Sequence, residues 1–132
     1  MVTIDSRARA AVRGLPTYRP GTPIDEAKRQ FKLASVIKLA SNENALGPSP
    51  KAVAALRGAV PSLHRYPDAT CRTLREKLAR TLRVDPAMLI FGNGSDELIV
   101  LALRAFVDPG DGVVVASPTF LIYELQARAC GA

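Results

Sequence analysis

Apolar residues recur every three or four positions in several stretches of the chain, and this spacing predicts amphipathic helices. Serine and proline near the start of a stretch, and glycine after its end, mark the expected boundaries. The predicted helices are Ile24–Phe31, a helix from Pro50 that ends at Pro61, Thr70–Arg83, a helix opening on Ser95 that ends at Phe106, and Phe120–Ala129 with Gly131 as its stop.

Short apolar runs between these helices predict strands at residues 37–40, 89–91 and 113–116. The run Val113–Ala116 is rich in β-branched residues, which is typical of a strand buried on both faces of a parallel sheet. The alternating order of helices and strands therefore predicts an α/β fold. The sequence stops where a further strand is expected, so we expect the N-terminal part of a longer chain.

The stretch Leu89–Leu98, LIFGNGSDEL, predicts a strand, a glycine turn and a helix N-terminus. The first N–H groups of a helix lack intrahelical partners, and the macrodipole adds roughly half a positive charge there. Gly92 and Gly94 allow the backbone to approach a bound group closely, and Ser95 or Asp96 is the expected cap. This pattern predicts an anion site, although a well-capped helix without a ligand would show the same residues.

Composition narrows the function classes. The 132 residues are 48% hydrophobic and 23% charged with a net charge of +6, but the basic residues are scattered, which disfavours a nucleic-acid-binding domain. Cys71 and Cys130 are far apart, and no metal site is predicted. No apolar run approaches the ~20 residues of a membrane span. We therefore expect a cytoplasmic protein that does not enter membranes, with a transit peptide around Arg7–Arg13 as the lesser alternative.

Four motifs stand in order along the chain: KLASNENALGPSP from Lys38, LHRYPD from Leu63, FGNGSDELI from Phe91 and ASPTFLIYE from Ala116. Together they resemble the histidinol-phosphate aminotransferase family, and YRPG at Tyr18 extends the resemblance. That family consists of fold-type I transaminases, homodimers that use pyridoxal 5'-phosphate in histidine biosynthesis. The resemblance implies a three-layer α/β/α domain with a mostly parallel sheet.

The resemblance also implies a division of the chain and a set of small-molecule-binding residues. Residues 1–36 would form an arm with a short helix, residues 37–69 a small-domain segment with the substrate loop, and residues 70–132 the start of the large cofactor-binding domain. The implied cofactor-binding residues are Gly94, Ser95 and Asp96 at the phosphate, Phe120 stacked on the pyridine ring, and Tyr66 reaching the partner subunit's phosphate. The implied substrate-binding residues are Asn42, Glu43 and Tyr18.

In this family the lysine that forms the Schiff base lies after the segment seen here, so no catalytic residue is predicted within the 132 residues. None of Lys28, Lys32, Lys38, Lys51 and Lys77 follows the required strand. We therefore expect the isolated chain to be inactive. A related aromatic-amino-acid aminotransferase, a threonine-phosphate decarboxylase and a non-catalytic truncated remnant stay open as alternatives.

Overall fold

A computed structural model describes residues 4–132, so the first three residues of the predicted arm lie outside it. Regular structure in the described residues is helical, with three short 3-10 helices between the α-helices. The α-helices are α1 (Ile4–Arg7), α2 (Ile24–Phe31), α3 (Pro50–Ala59), α4 (Arg72–Leu82), α5 (Gly94–Phe106) and α6 (Leu121–Cys130), and the 3-10 helices are Ala10–Val12, Val60–Ser62 and Pro86–Met88.

The chain forms two compact units. The first contains the segment up to Tyr18 together with Cys71–Ala132, and the second is Arg19–Thr70. The first unit thus joins the beginning of the predicted arm to the last 62 residues, Cys71–Ala132. The division at residues 36 and 69 implied by the family resemblance stays a prediction.

Helix α6 is the centre of the first unit. It packs against α5 and against the 3-10 helix Ala10–Val12. Its residues Ile122, Leu125 and Ala127 are buried, and together with Ala79 of α4 they form the buried apolar core of the described residues. Removing these side chains from water is the main force that holds α6 in place.

Most helix boundaries follow local sequence signals. Helix α2 spans the predicted residues Ile24–Phe31. Helix α6 ends one residue later than predicted, and Gly131 takes the left-handed conformation expected of a C-terminal cap, with φ +96°. Helix α3 ends at Ala59, just before a 3-10 turn that contains Pro61.

The predicted strands at residues 37–40, 89–91 and 113–116 are not formed as strands in the described part of the chain. Leu89 has an extended backbone, with φ −105° and ψ 132°, but it belongs to no ladder. A strand exists only through hydrogen bonds to a neighbouring strand, and the described residues supply none to these segments. Ile90 and Val114 are 66% and 99% exposed, so the sheet of the predicted α/β fold is not confirmed here.

The turn at residues 108–112 is tied to the end of α6. The Asp108 N–H donates to Oδ2 of Asp111 over 2.8 Å, which closes the turn on itself. The Gly110 N–H donates to the Gly131 carbonyl oxygen over 2.9 Å. These two bonds hold the segment after α5 against the C-terminus of α6.

Within the described residues, no helix is both long and apolar enough to cross a membrane.

Replacing Gly131 by alanine tests the cap of α6. A Cβ atom at this position would lie 3.2 Å from Cβ of Pro109, and φ +96° is strained for any residue with a side chain. We expect Gly131→Ala to lower the free energy of unfolding by about 1–3 kcal/mol in urea denaturation followed by circular dichroism. Gly112→Ala is the matched control, because Gly112 has open space around it and no positive φ. Equal losses in both variants would contradict this account of the cap.

Candidate functional site

The glycine turn places helix α5 directly after the extended segment 89–91. The helix begins at Gly94, whose φ of +82° favours glycine, and not at Ser95 as predicted. Within residues 4–132 the backbone N–H groups of Ser95 and Asp96 have no protein acceptor. The Gly94 N–H, in contrast, donates to the Gly92 carbonyl oxygen over 3.0 Å. Two of the three predicted phosphate donors are therefore available to a ligand in this structure.

Glu97 caps the start of α5, so the expectation of a cap at Ser95 or Asp96 is wrong. Its Oε2 atom accepts from the Asn93 backbone N–H over 2.5 Å and from Asn93 Nδ2 over 3.1 Å. Asn93 occupies the N-cap position, four residues before Glu97, and its own side chain makes no capping bond. The spacing of these two residues is one residue longer than in a capping box. The asparagine and the glutamate were nevertheless the sequence signal from which this cap could have been predicted.

Gly92 makes room for this carboxylate. A Cβ atom on Gly92 would lie 2.9 Å from Oε2 of Glu97 and 3.1 Å from Cδ2 of Leu98. The two glycines therefore have different roles. Gly92 is needed for space and Gly94 for its backbone angle.

Arg75 of α4 anchors the segment that leads to the turn. Its Nη1 atom donates to the carbonyl oxygens of Pro86, over 2.9 Å, and of Leu89. The guanidinium carbon lies 5.0 Å from the centre of the Phe91 ring, a cation–π distance. Arg75 is half-buried, although helical periodicity alone would place the arginines of this helix on its outer face. Its partners lie 11 and 14 residues further along the chain, beyond the reach of helical periodicity.

Three aromatic rings meet at the start of α6. Phe120 stands at the N-cap position and is 38% exposed. The Tyr18 ring lies 5.8 Å from it and the Tyr123 ring 6.3 Å from it, each at an interplanar angle of 89°. The structure therefore brings the predicted substrate residue Tyr18 and the predicted stacking residue Phe120 together within one unit of one chain. The implied role of Tyr18 in substrate binding stays a prediction.

The predicted substrate loop lies in the second unit. Asn42 and Glu43 are exposed, and Oε1 of Glu43 lies 2.7 Å from Nζ of Lys38. The Lys38 side chain is only 16% exposed, whereas that of Glu43 is 57% exposed. From the sequence, Lys38 was considered only as a Schiff-base lysine and was rejected in that role. In the structure it forms an ion pair with Glu43.

The loop after Glu43 is fixed by its own polar groups. Oδ1 of Asn44 accepts from the Leu46 N–H over 3.0 Å, and Nδ2 of Asn44 donates to the Gly47 carbonyl oxygen over 3.2 Å. The loop borders a groove of about 510 Å³ that Ile24, Lys38 and Glu43 help to line. Glu43 is thus held at the edge of a groove in the second unit.

Tyr66 is fully exposed on the irregular segment that follows α3. An exposed phenol is free to reach a group outside its own chain, but its contact with a cofactor stays a prediction. Both cysteines are free thiols, and no cluster of three potential metal ligands occurs among the residues that the structure describes.

Comparison with known proteins places the chain among transaminases. The family model for aminotransferase class I and II matches residues 34–132. A histidinol-phosphate aminotransferase from Symbiobacterium thermophilum is 44% identical over 127 residues, which cover 96% of this chain and 35% of that protein. One from Moorella thermoacetica is 46% identical over 125 residues, which cover 95% of this chain and 32% of that protein. The chain spans about a third of the length of the curated relatives it matches.

A solved structure supports the same relationship. The crystal structure of histidinol-phosphate aminotransferase from Sinorhizobium meliloti in complex with pyridoxal-5'-phosphate matches this fold with a TM-score of 0.79 and 27% sequence identity. The match covers 96% of this chain and 33% of that one. The fold of this chain is therefore similar to that of about a third of a known aminotransferase.

The capping role of Glu97 predicts the effect of removing its carboxylate. Glu97→Ala leaves the Asn93 N–H without its charged acceptor, and we expect the free energy of unfolding to fall by about 1–2 kcal/mol. Amide hydrogen exchange at Asn93 should accelerate in the same variant. Glu124→Ala is the control, because Glu124 makes only an exposed pair with Arg128 on one helix face, worth about 0.3–0.5 kcal/mol. Unchanged exchange at Asn93 would disprove the cap.

The unequal burial of Lys38 and Glu43 predicts unequal effects of removing either partner. Glu43→Ala leaves a mostly buried ammonium group unpaired, and we expect a loss of about 1–2 kcal/mol in the free energy of unfolding. Lys38→Met leaves an exposed carboxylate that water can solvate and keeps the apolar stem, so its loss should stay within about 0.5 kcal/mol. Urea denaturation of both variants checks this order, and the reverse order would contradict it.

Proposed function

This chain belongs to the aminotransferase class I and II family, and we propose that it is the N-terminal part of a histidinol-phosphate aminotransferase. The proposed reaction exchanges an amino group between histidinol phosphate and 2-oxoglutarate, giving imidazole-acetol phosphate and glutamate. Support comes from the curated relatives, which carry this activity in their names at 44% and 46% identity. We place the complete enzyme in the cytoplasm, in histidine biosynthesis.

The donor groups at the start of α5 fit the phosphate of pyridoxal phosphate. The unpartnered N–H groups of Ser95 and Asp96 are the observation that carries this proposal, because they meet an anion at the positive end of the helix dipole. Phe120 exposes part of its ring and can stack on a planar heterocycle. When bound, pyridoxal phosphate supplies an electron sink for the carbon that loses or gains the amino group.

We propose that Gly94 shapes the turn and does not bind the phosphate directly, because its N–H already donates to the Gly92 carbonyl oxygen. A glycine there lets the chain turn directly into the helix and presents the next two N–H groups at its end. The role of Gly94 in phosphate binding is then indirect. Any side chain at this position would strain the turn that orients both donors.

The family resemblance also assigns binding roles to Tyr66, Asn42 and Glu43, which all lie in the second unit. In a homodimer, the exposed Tyr66 phenol would donate to the partner subunit's cofactor phosphate. Glu43, held by Lys38, would accept a hydrogen bond from the substrate imidazole, and Asn42 beside it would offer an amide. Tyr18 would contribute from the arm.

We place the lysine that attaches the cofactor outside residues 1–132. The lysines of this chain lie on helices and loops, and Lys38 is paired with Glu43. The chain spans about a third of its relatives, which leaves ample length for that lysine in a complete protein. We therefore propose that residues 1–132 alone do not catalyse transamination.

Sequencing the source DNA beyond the codon for Ala132 and expressing the complete protein tests this proposal. We expect it to bind pyridoxal phosphate and to transfer the amino group of glutamate to imidazole-acetol phosphate faster than to aromatic 2-oxo acids, without decarboxylating threonine phosphate. A complete protein that binds no pyridoxal phosphate would contradict the proposal. Preference for aromatic 2-oxo acids, or decarboxylation of threonine phosphate, would instead identify a sister enzyme.

Two variants at Ser95 test the phosphate donors within that protein. Ser95→Pro removes one backbone N–H at a helix position that tolerates proline, and the dissociation constant for pyridoxal phosphate should rise about tenfold or more. Ser95→Ala keeps the N–H group and is the matched control. Equal affinities of the two variants in a spectroscopic titration would exclude the Ser95 N–H as a donor.

A further inference from the structure

The ring of Phe120 has no polar group to fix its orientation, so its orientation depends on what packs against it. Phe120 precedes the first residue of α6 and keeps an extended backbone, with φ −68° and ψ 120°. More than a third of its surface is exposed. The ring is held by two perpendicular neighbours, Tyr18 and Tyr123.

These two neighbours differ in how they reach the ring. Tyr123 lies three residues further along the chain, one turn into the same helix, so its contact with Phe120 accompanies formation of α6. Tyr18 comes from the proline-rich segment at the other end of the chain, and its contact requires that segment to lie on α6.

The segment before Tyr18 is itself fixed to α6. The 3-10 helix Ala10–Val12 packs against α6. The Arg13 guanidinium donates to the carbonyl oxygens of Ala8, over 2.9 Å, and of Ser6, over 3.0 Å, which folds the start of the chain back on itself. From this anchored start the chain continues to Tyr18 at the N-terminal end of α6. The arm therefore brings an aromatic ring against Phe120 within the same unit.

We propose that Tyr18 is a positioning residue that fixes the ring plane of Phe120 for stacking on the cofactor, and that it acts through its ring and not through its hydroxyl group. The contact is made within one chain. The ring centres lie 5.8 Å apart and the ring planes form an angle of 89°, which is the geometry of an edge-to-face pair. The inference rests on the proposed function, because it takes Phe120 as the residue that stacks on pyridoxal phosphate. It assigns the arm a role toward the cofactor in addition to any contact with substrate.

Two substitutions separate the ring from the hydroxyl group in the complete protein. Tyr18→Phe keeps the aromatic ring, and Tyr18→Leu removes it while retaining apolar bulk. Phe31→Leu is the control, because Phe31 is an exposed aromatic residue at the end of α2, outside the aromatic cluster. The readouts are the dissociation constant for pyridoxal phosphate, the circular dichroism of the bound cofactor, and the ring resonances of Phe120 in the cofactor-free protein, assigned with Phe120→Leu.

We expect Tyr18→Leu to raise the dissociation constant about three- to tenfold, to weaken the cofactor's circular dichroism and to shift the Phe120 ring resonances. Tyr18→Phe and Phe31→Leu should retain the parent affinity and dichroism, and the Phe120 resonances should stay close to their original positions. Rescue by phenylalanine distinguishes ring positioning from a hydrogen bond of the tyrosine hydroxyl.

The outcomes that would overturn the inference are separate from failure of the proposed function. If Tyr18→Leu leaves both the affinity and the Phe120 resonances unchanged, or if Tyr18→Phe is impaired as strongly as Tyr18→Leu, Tyr18 does not act through its ring. If the unsubstituted complete protein binds no pyridoxal phosphate, the proposed function fails and the inference about cofactor stacking is overturned with it. The Phe120 resonances would then report only whether the two rings touch.

Discussion

The arrangement of the candidate cofactor site depends on one guanidinium group, that of Arg75. The segment that leads into the glycine turn forms no ladder in the described residues, so its carbonyl groups need other partners. Arg75 supplies a hydrogen bond to one of them, that of Leu89, and another to Pro86 of the preceding 3-10 helix, and it lies over the Phe91 ring. Helix α4 thereby determines where the segment ends, and the segment determines where the turn and helix α5 begin.

The turn then divides its polar groups between folding and binding. Glu97 satisfies the Asn93 N–H, and Gly92 provides the space for that carboxylate. The N–H groups of Ser95 and Asp96 remain as donors. The carboxylates of Asp96 and Glu97 interact favourably with the positive end of the helix dipole. They also place negative charge beside a bound anion and therefore oppose its binding. Anion binding here must therefore come from directed N–H groups and not from net positive charge.

Sequence reasoning succeeded where the determining contacts are local. The helix Ile24–Phe31 and the glycine stop at Gly131 follow from spacing and backbone preference within a few residues. The cap by Glu97, the start at Gly94 and the anchor at Arg75 were missed, because each depends on a backbone angle or on a partner that periodicity does not reveal. The strands were predicted from composition, but a strand also needs a neighbour, and sequence pattern cannot supply one. Tyr18 and Phe120 were both identified from motifs, yet their contact joins residues about a hundred positions apart.

The apolar surface of the first unit supports the proposal that it belongs to a larger enzyme. Four apolar residues form the buried core of the described part, whereas Phe106 and Val114 are almost fully exposed and Leu101 and Val115 are about 40% exposed. Large apolar side chains left in water in such numbers are typical of surfaces that another protein segment covers. The backbone of the extended segments also lacks the cross-strand partners that a sheet would provide. Helices that cover the faces of a completed sheet would bury the side chains while neighbouring strands satisfied the backbone. The same additional segments would carry the lysine that the proposed reaction requires. The exposed apolar surface of residues 1–132 and their lack of that lysine would then have the same explanation.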